Sequence, residues 1–246
     1  MEENDSWIMS INSHDSNEES APGFPDLLNS QCENKRAICK HCERPERVCW
    51  CNYLPNPKVL PKSRTTIIIL QHPSEKKRNI RTALMALHGI ADGYCQIHVR
   101  RKLTKSDSLY ETLQSLNCFL LFPSATSKNI TTLASHDDAE KTRLKTLVIL
   151  DGTWDEAKNI YMRSPVLKAL PCIHLEVENK SAYVVRTQPS EKCLSTLETA
   201  AHALAIIEKN PSIIEQLLNP LGMLYEFQLS HGAVEHDNKV DKKEKG

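Results

Sequence analysis

Two groups of residues have types and spacings that can carry chemistry. Cys39-x-x-Cys42 and Cys49-x-Cys51 place four thiols within thirteen residues, in charged surroundings with no apolar run to bury them. A C-x-x-C turn presents two sulfurs from one knuckle, and four thiolates complete a tetrahedral zinc site. Because such a site has no open position, its zinc is structural and holds the N-terminal segment to the core. His41 is a substitute ligand and Cys32 a spare thiol, but neither fits the paired spacing as well. The second group is Asp151-Gly152-Thr153-Trp154, directly after the apolar run Leu147 to Leu150. That run reads as a buried strand, Gly152 lets the chain turn, and Thr153 with Glu156 makes a capping box for the next helix. Asp155 and Glu156 are thereby accounted for as first-turn acids. Asp151 lies outside the box, and a carboxylate delivered to a strand end is expected to face a ligand rather than the core.

The elements that must position these groups follow from periodicity. Thr65 to Leu70, Gln96 to Val99, Cys118 to Phe122 (closed by Pro123), Leu147 to Leu150 and Ile173 to Val177 read as strands. Between them, Glu75 to Ile90, Ser108 to Leu116 and Trp154 to Met162 read as helices. Ser195 to Lys209 is the most secure helix, opened by the Ser195/Glu198 capping box. Ser212 to about His231 is a last helical stretch that should bend or break at Pro220. Strands alternating with helices define an α/β domain, with a mostly parallel sheet covered on both faces. Ligands bind such sheets at the carboxyl ends of strands.

Charge is uneven along the 246 residues. The formal net charge is +0, yet residues 1–36 hold eight acids against two bases, and residues 37–232 hold 25 bases against 19 acids. The first segment therefore reads as a disordered acidic leader, 37–232 as one moderately basic domain, and 233–246 as a flexible charged tail. No run approaches the roughly 20 apolar residues of a membrane span, and no secretory signal is visible. Thiols used as metal ligands then suit the cytoplasm or nucleus.

Asp-Gly-Thr at a strand end first suggests a haloacid-dehalogenase-like phosphatase, but that chemistry needs a second aspartate two residues away. Ile149 and Thr153 occupy those positions. Asp151-Gly-Thr-Trp154, followed by Ala157-Lys158, instead resembles the D-x-T-W motif of the DTW-domain family of tRNA-uridine aminocarboxypropyltransferases. Three further segments resemble the same family in the same order. They are Cys39, Cys42, Arg44, Pro45, Cys49 and Cys51; Gln71-His72-Pro73 with Glu75; and Arg186-x-Gln188-Pro189 leading into Cys193, Ser195, Thr196 and Glu198. The resemblance spans about 38 to 232 and looks closest to the eukaryotic branch that modifies the D-loop.

This resemblance implies a knotted, SPOUT-like core with S-adenosylmethionine as donor. Its 3-amino-3-carboxypropyl group passes to N3 of a tRNA uridine. It casts Asp151 as the catalytic residue, either as base, as orienting group or as a charge attracting the sulfonium. Pro123, Thr153, Trp154, Arg186, Gln188, Ser195 and Thr196 would surround the donor. Trp154 can stack on adenine or uracil, or anchor its helix in the core. Arg186 can pair with the donor carboxylate or with a phosphate, and His72 reads as a turn histidine. Lys76, Lys77, Arg78, Arg81, Arg100 and Arg101 would grip tRNA phosphates, helped by Lys102 and Lys105. A homodimer would match other knotted enzymes; the sequence implies neither an obligate protein partner nor a membrane. The rival readings are a SPOUT-like RNA methyltransferase and a non-catalytic, zinc-dependent RNA-binding module.

Overall fold

In the computed structural model, the described residues are 37–232 except 79, 116, 135–144 and 177–193. The acidic leader, the charged tail, Cys32, Arg186 and Gln188 lie outside them. The order of elements is β1 (Thr66–Gln71), α1 (Thr82–Gly89), β2 (Cys95–Val99), α2 (Tyr110–Leu113), β3 (Cys118–Leu121), β4 (Lys128–Asn129), α3 (Ile130–Ala134), β5 (Thr146–Asp151), α4 (Trp154–Arg163), α5 (Pro165–Lys168), β6 (Cys172–His174), α6 (Thr196–Ile207) and α7 (Ser212–Leu229).

The six strands form one sheet in the order β2-β1-β5-β3-β6-β4, and each neighbouring pair is parallel. β1 and β5 are almost wholly apolar because both of their faces are covered, and strand periodicity divides their side chains between two cores. Ile67, Ile69, Leu147 and Ile149 enter a core shared with Ala83, Met85, Leu204, Leu217 and Trp50, on the side of α1, α6 and α7. Ile68, Leu70 and Val148 point the other way, to Ile160, Val166 and Leu167 of α4 and α5. A buried side chain of this size contributes about 1.5–3 kcal/mol, so these two strands anchor both layers. β5 comes late in the chain yet inserts between β1 and β3, and the strand ends at such a reversal are where α/β sheets bind ligands.

The α/β reading and the parallel sheet hold; several boundaries do not. The helix expected over 75–90 is two pieces: a 3-10 turn at Pro73–Lys77 and then α1. Arg78, between them, is extended and turns its side chain onto carboxylates instead of continuing the helix. The helix expected over 108–116 contracts to α2, and the strand expected over 173–177 is β6. α7 neither stops nor restarts at Pro220, which is buried within it among Leu217, Leu221 and Leu224. Core packing on both sides of the proline outweighs the lost hydrogen bond. β4 and α3 have no counterpart in the sequence pattern. The knotted, SPOUT-like threading stays an expectation, since residues 177–193, between β6 and α6, lie outside the described residues. No described helix is long and apolar enough to cross a membrane.

Leu204 is fully buried in α6, in the same core as Ile67, Ile149 and Leu217. Leu204→Ala should lower unfolding free energy by about 2–5 kcal/mol, measured by urea titration.

Candidate active site and metal centre

Parallel pairing puts Gln71, the last residue of β1, opposite Asp151, the last residue of β5. Gln71 Nε2 donates to Asp151 Oδ2 at 2.8 Å, and the Thr196 hydroxyl donates to Oδ1. Three elements thus meet on one carboxylate. Asp151 is only 7% exposed, which corrects the expectation of an open, ligand-facing side chain: the start of α6 packs over the strand end. The N-terminal end of a helix favours negative charge, and α6 begins with the expected reciprocal capping box between Ser195 and Glu198.

The chain leaving β5 is equally constrained. His72 N–H donates to Asp151 O at 2.8 Å, joining the exits of the two strands. Thr153 caps α4, and the Glu156 carboxylate accepts from Thr153 N–H at 2.7 Å, so the capping box forms as expected. Glu156 does more than cap, because Arg78 Nη2 reaches it at 3.0 Å and His72 Nδ1 lies 3.2 Å from its other oxygen. Arg78 also bonds the buried Glu75 carboxylate. Partial burial of Glu156 opposes its charge. The Thr153 N–H, Arg78 and His72 outweigh that effect and hold the carboxyl below the usual carboxylate range.

Trp154 is 55% exposed, so of its two roles the core anchor is excluded. Its ring lies flat on Phe122, with centroids 5.4 Å apart and planes 3° from parallel, and Phe122 in turn stacks on Tyr161 at 4.6 Å. Phe122 ends the β3 run and is followed by the exposed Pro123. The rim at these strand ends therefore holds a fixed carboxylate and, on its β3 side, a supported aromatic plate.

On the opposite flank, Lys76 and Lys77 sit in the turn after β1, and Arg100 and Arg101 directly follow β2, whose Val99 pairs with Gln71. Three of the six cations expected to grip phosphates are engaged within the protein: Arg78 as above, Arg81 with Glu43 at 2.7 Å and Arg100 with Asp107 at 2.8 Å. Lys76, Lys77 and Arg101 are exposed.

The four cysteines do converge. Cys39, Cys42, Cys49 and Cys51 have sulfurs all within 4.8 Å of one another, with Cys39–Cys51 at 3.8 Å and Cys42–Cys49 at 3.6 Å. Zinc–sulfur bonds of about 2.3 Å in a tetrahedron put sulfurs about 3.8 Å apart, whereas a disulfide needs about 2.05 Å. The donor set therefore fits zinc. Backbone N–H groups of Cys42 and His41 lower the Cys39 thiol to about 6, while burial foremost raises Cys42 and Cys51. Four adjacent thiolates need a cation to coexist. His41 stands outside the set of four, with Nδ1 3.5 Å from Cys51 Sγ and its ring 3.8 Å from that of His88 on α1.

A parallel α/β domain with an anchored carboxylate and an exposed tryptophan at its strand ends, braced by a four-cysteine centre, belongs to the class that binds ligands at a sheet's carboxyl edge. The DTW domain model matches residues 36–229, and the chain belongs to the DTW domain family. It is 42% identical over 209 residues to tRNA-uridine aminocarboxypropyltransferase 2 of Drosophila melanogaster, covering 84% of this chain and 80% of that protein. The Mus musculus protein of the same name is 35% identical over 202 residues, 81% of this chain but 66% of its own length. tRNA-uridine aminocarboxypropyltransferase A of Arabidopsis thaliana is 27% identical over 219 residues, 79% of this chain and 82% of that protein. No solved structure gives a significant match.

Sequence reasoning missed the amide of Gln71 as a partner of Asp151, the Phe122–Tyr161 support beneath Trp154, and Arg78 as an internal bridge. A polar residue ending an apolar run was the available signal for Gln71.

Two outcomes test this description. Purified protein should contain one zinc per chain, and Cys42→Ser should lower both zinc content and melting temperature. At Gly152, an added Cβ would lie 3.0 Å from Glu156 Cβ and 3.2 Å from its carboxylate. Gly152→Ala should therefore displace Glu156 and reduce activity with little loss of helix content by circular dichroism.

Proposed function

We propose that this chain is an enzyme that transfers the 3-amino-3-carboxypropyl group of S-adenosylmethionine to N3 of a uridine in the D-loop of tRNA. The observation that carries the reading is what the strand ends bring together. A fixed carboxylate, an exposed aromatic plate and a flank of cations share one sheet edge, in a chain of the DTW domain family whose relatives bear aminocarboxypropyltransferase names.

The donor supplies a carbon activated by an adjacent positive sulfur, so the protein's work is orientation and charge placement. Asp151 is held in one position from both sides by neutral donors, a placement suited to attracting the sulfonium. Trp154 offers its outer face for stacking on a nucleobase, since Phe122 already covers the inner face. Thr153 and Ser195 act as helix caps and Thr196 through its hydroxyl bond to Asp151, so all three hydroxyls are engaged within the protein. Arg186, Gln188 and Pro123 complete the donor pocket in this reading. Lys76, Lys77 and Arg101 meet the phosphates, because Arg78, Arg81 and Arg100 are committed to carboxylates. The zinc held by Cys39, Cys42, Cys49 and Cys51 braces the domain and takes no part in the transfer.

The decisive experiment is incubation of purified protein with S-adenosylmethionine and unmodified tRNA, followed by nucleoside mass analysis. An aminocarboxypropyl adduct with methylthioadenosine is the expected result; a methyl adduct with S-adenosylhomocysteine would make the chain a methyltransferase instead. Asp151→Asn should lower kcat by about 10²–10³-fold while the protein stays folded. Lys76→Glu with Lys77→Glu and Arg101→Glu should weaken tRNA binding and flatten its logarithmic salt dependence by about 0.7–0.9 per lost phosphate contact.

A further inference from the structure

Alkylation at N3 of uridine requires removal of the N3 proton, and Asp151 is poorly placed to remove it. Both of its oxygens already accept hydrogen bonds, from Gln71 and Thr196, and the side chain is 7% exposed. Another titratable side chain on this rim is His72, which leaves β1 beside Asp151 and precedes the turn Pro73–Lys77. Its flank is close to the Asp151 exit loop, since a Cβ on Gly152 would come 3.4 Å from His72 Cβ.

The tautomer of His72 follows from its neighbours. Nδ1 lies 3.2 Å from Glu156 Oε1, and Ser74 N–H points at it from 3.3 Å, a bond that only an unprotonated Nδ1 can accept. One nitrogen serves one of these at a time. An unprotonated Nδ1 would set its lone pair against a carboxylate oxygen, whereas a protonated one makes a charge-assisted hydrogen bond. Glu156 is itself pinned by Thr153 N–H and Arg78, so it cannot turn away. On these grounds the proton sits on Nδ1, the Ser74 N–H contact is given up, and the lone pair is on Nε2. Among the described residues Nε2 has no hydrogen-bond partner, and the side chain retains 14% exposure. A carboxylate that orients an imidazole so that its other nitrogen can accept a proton is the arrangement general-base catalysis uses.

We propose that His72 Nε2 takes the N3 proton of the target uridine, with Glu156 as its positioning residue and Arg78 as the support of Glu156. The inference rests on the transfer reading above. As the N3 lone pair forms its bond to the donor carbon, the carbon–sulfur bond breaks and its electron pair goes to sulfur, leaving a neutral thioether. The N3 proton passes to Nε2. The positive charge thus moves from sulfonium to imidazolium, where Glu156 lies 3.2 Å away to stabilise it.

The test compares full-length protein on tRNA transcripts carrying uridine or 5-fluorouridine, whose N3 proton is more acidic. His72→Gln keeps a side chain that can donate to Glu156 and should lower kcat on uridine transcripts by about 10²–10⁴-fold, with KM for tRNA and donor unchanged. Most of that loss should disappear on 5-fluorouridine transcripts. Glu156→Gln preserves the capping box and should show a smaller loss, again relieved by fluorine. Equal fractional losses on both transcripts, or near wild-type activity of His72→Gln on uridine, would overturn the assignment. Wild-type protein that forms no adduct on either transcript would instead overturn the transfer reading itself.

Discussion

Parallel pairing of β1 with β5, in the register that sets Gln71 opposite Asp151, is the constraint on which the site depends. It brings together two chain segments 80 residues apart and places their polar ends at one level. From that level the Gln71 amide reaches one carboxylate oxygen and Thr196, at the start of α6, reaches the other. A slip of one residue in this register would send Ile67 and Ile69 to the wrong core and separate the amide from the acid. The apolar faces of β1 therefore enforce the polar geometry at its end.

Burying a carboxylate costs several kcal/mol unless its hydrogen bonds are replaced. Here neutral donors and the start of a helix replace them, and no cation of the chain is bonded to Asp151 among the described residues. Glu156 is treated differently: it meets a guanidinium and an imidazole, and its charge is spent inside the network. Two carboxylates within one short segment thus acquire different work, because one is surrounded by dipoles and the other by cations.

The cysteine centre acts on the other side of the sheet's end. Cys42 and Trp50 belong to the core shared by α1, α6 and α7, and the Arg81–Glu43 pair ties the cysteine loop to the residue just before α1. α1 follows directly from the turn that carries His72, Glu75 and Arg78. A structural metal there would stiffen the frame on which that network hangs, at a distance from any reacting atom.

The residues themselves determined much of this protein. The run of β-branched and leucine residues fixed the central strands, the Thr153/Glu156 and Ser195/Glu198 boxes fixed two helix starts, and the paired cysteines fixed the thiol cluster, because each of these signals is local. The tertiary structure alone decided that Asp151 is buried rather than open, that Trp154 lies on Phe122 rather than in the core, and that three arginines serve internal ion pairs. It also decided that α7 passes through Pro220. Each of these depends on which strand lies beside which and on what packs across the gap. Such relations arise between segments far apart in the chain, and no local pattern of residue types encodes them.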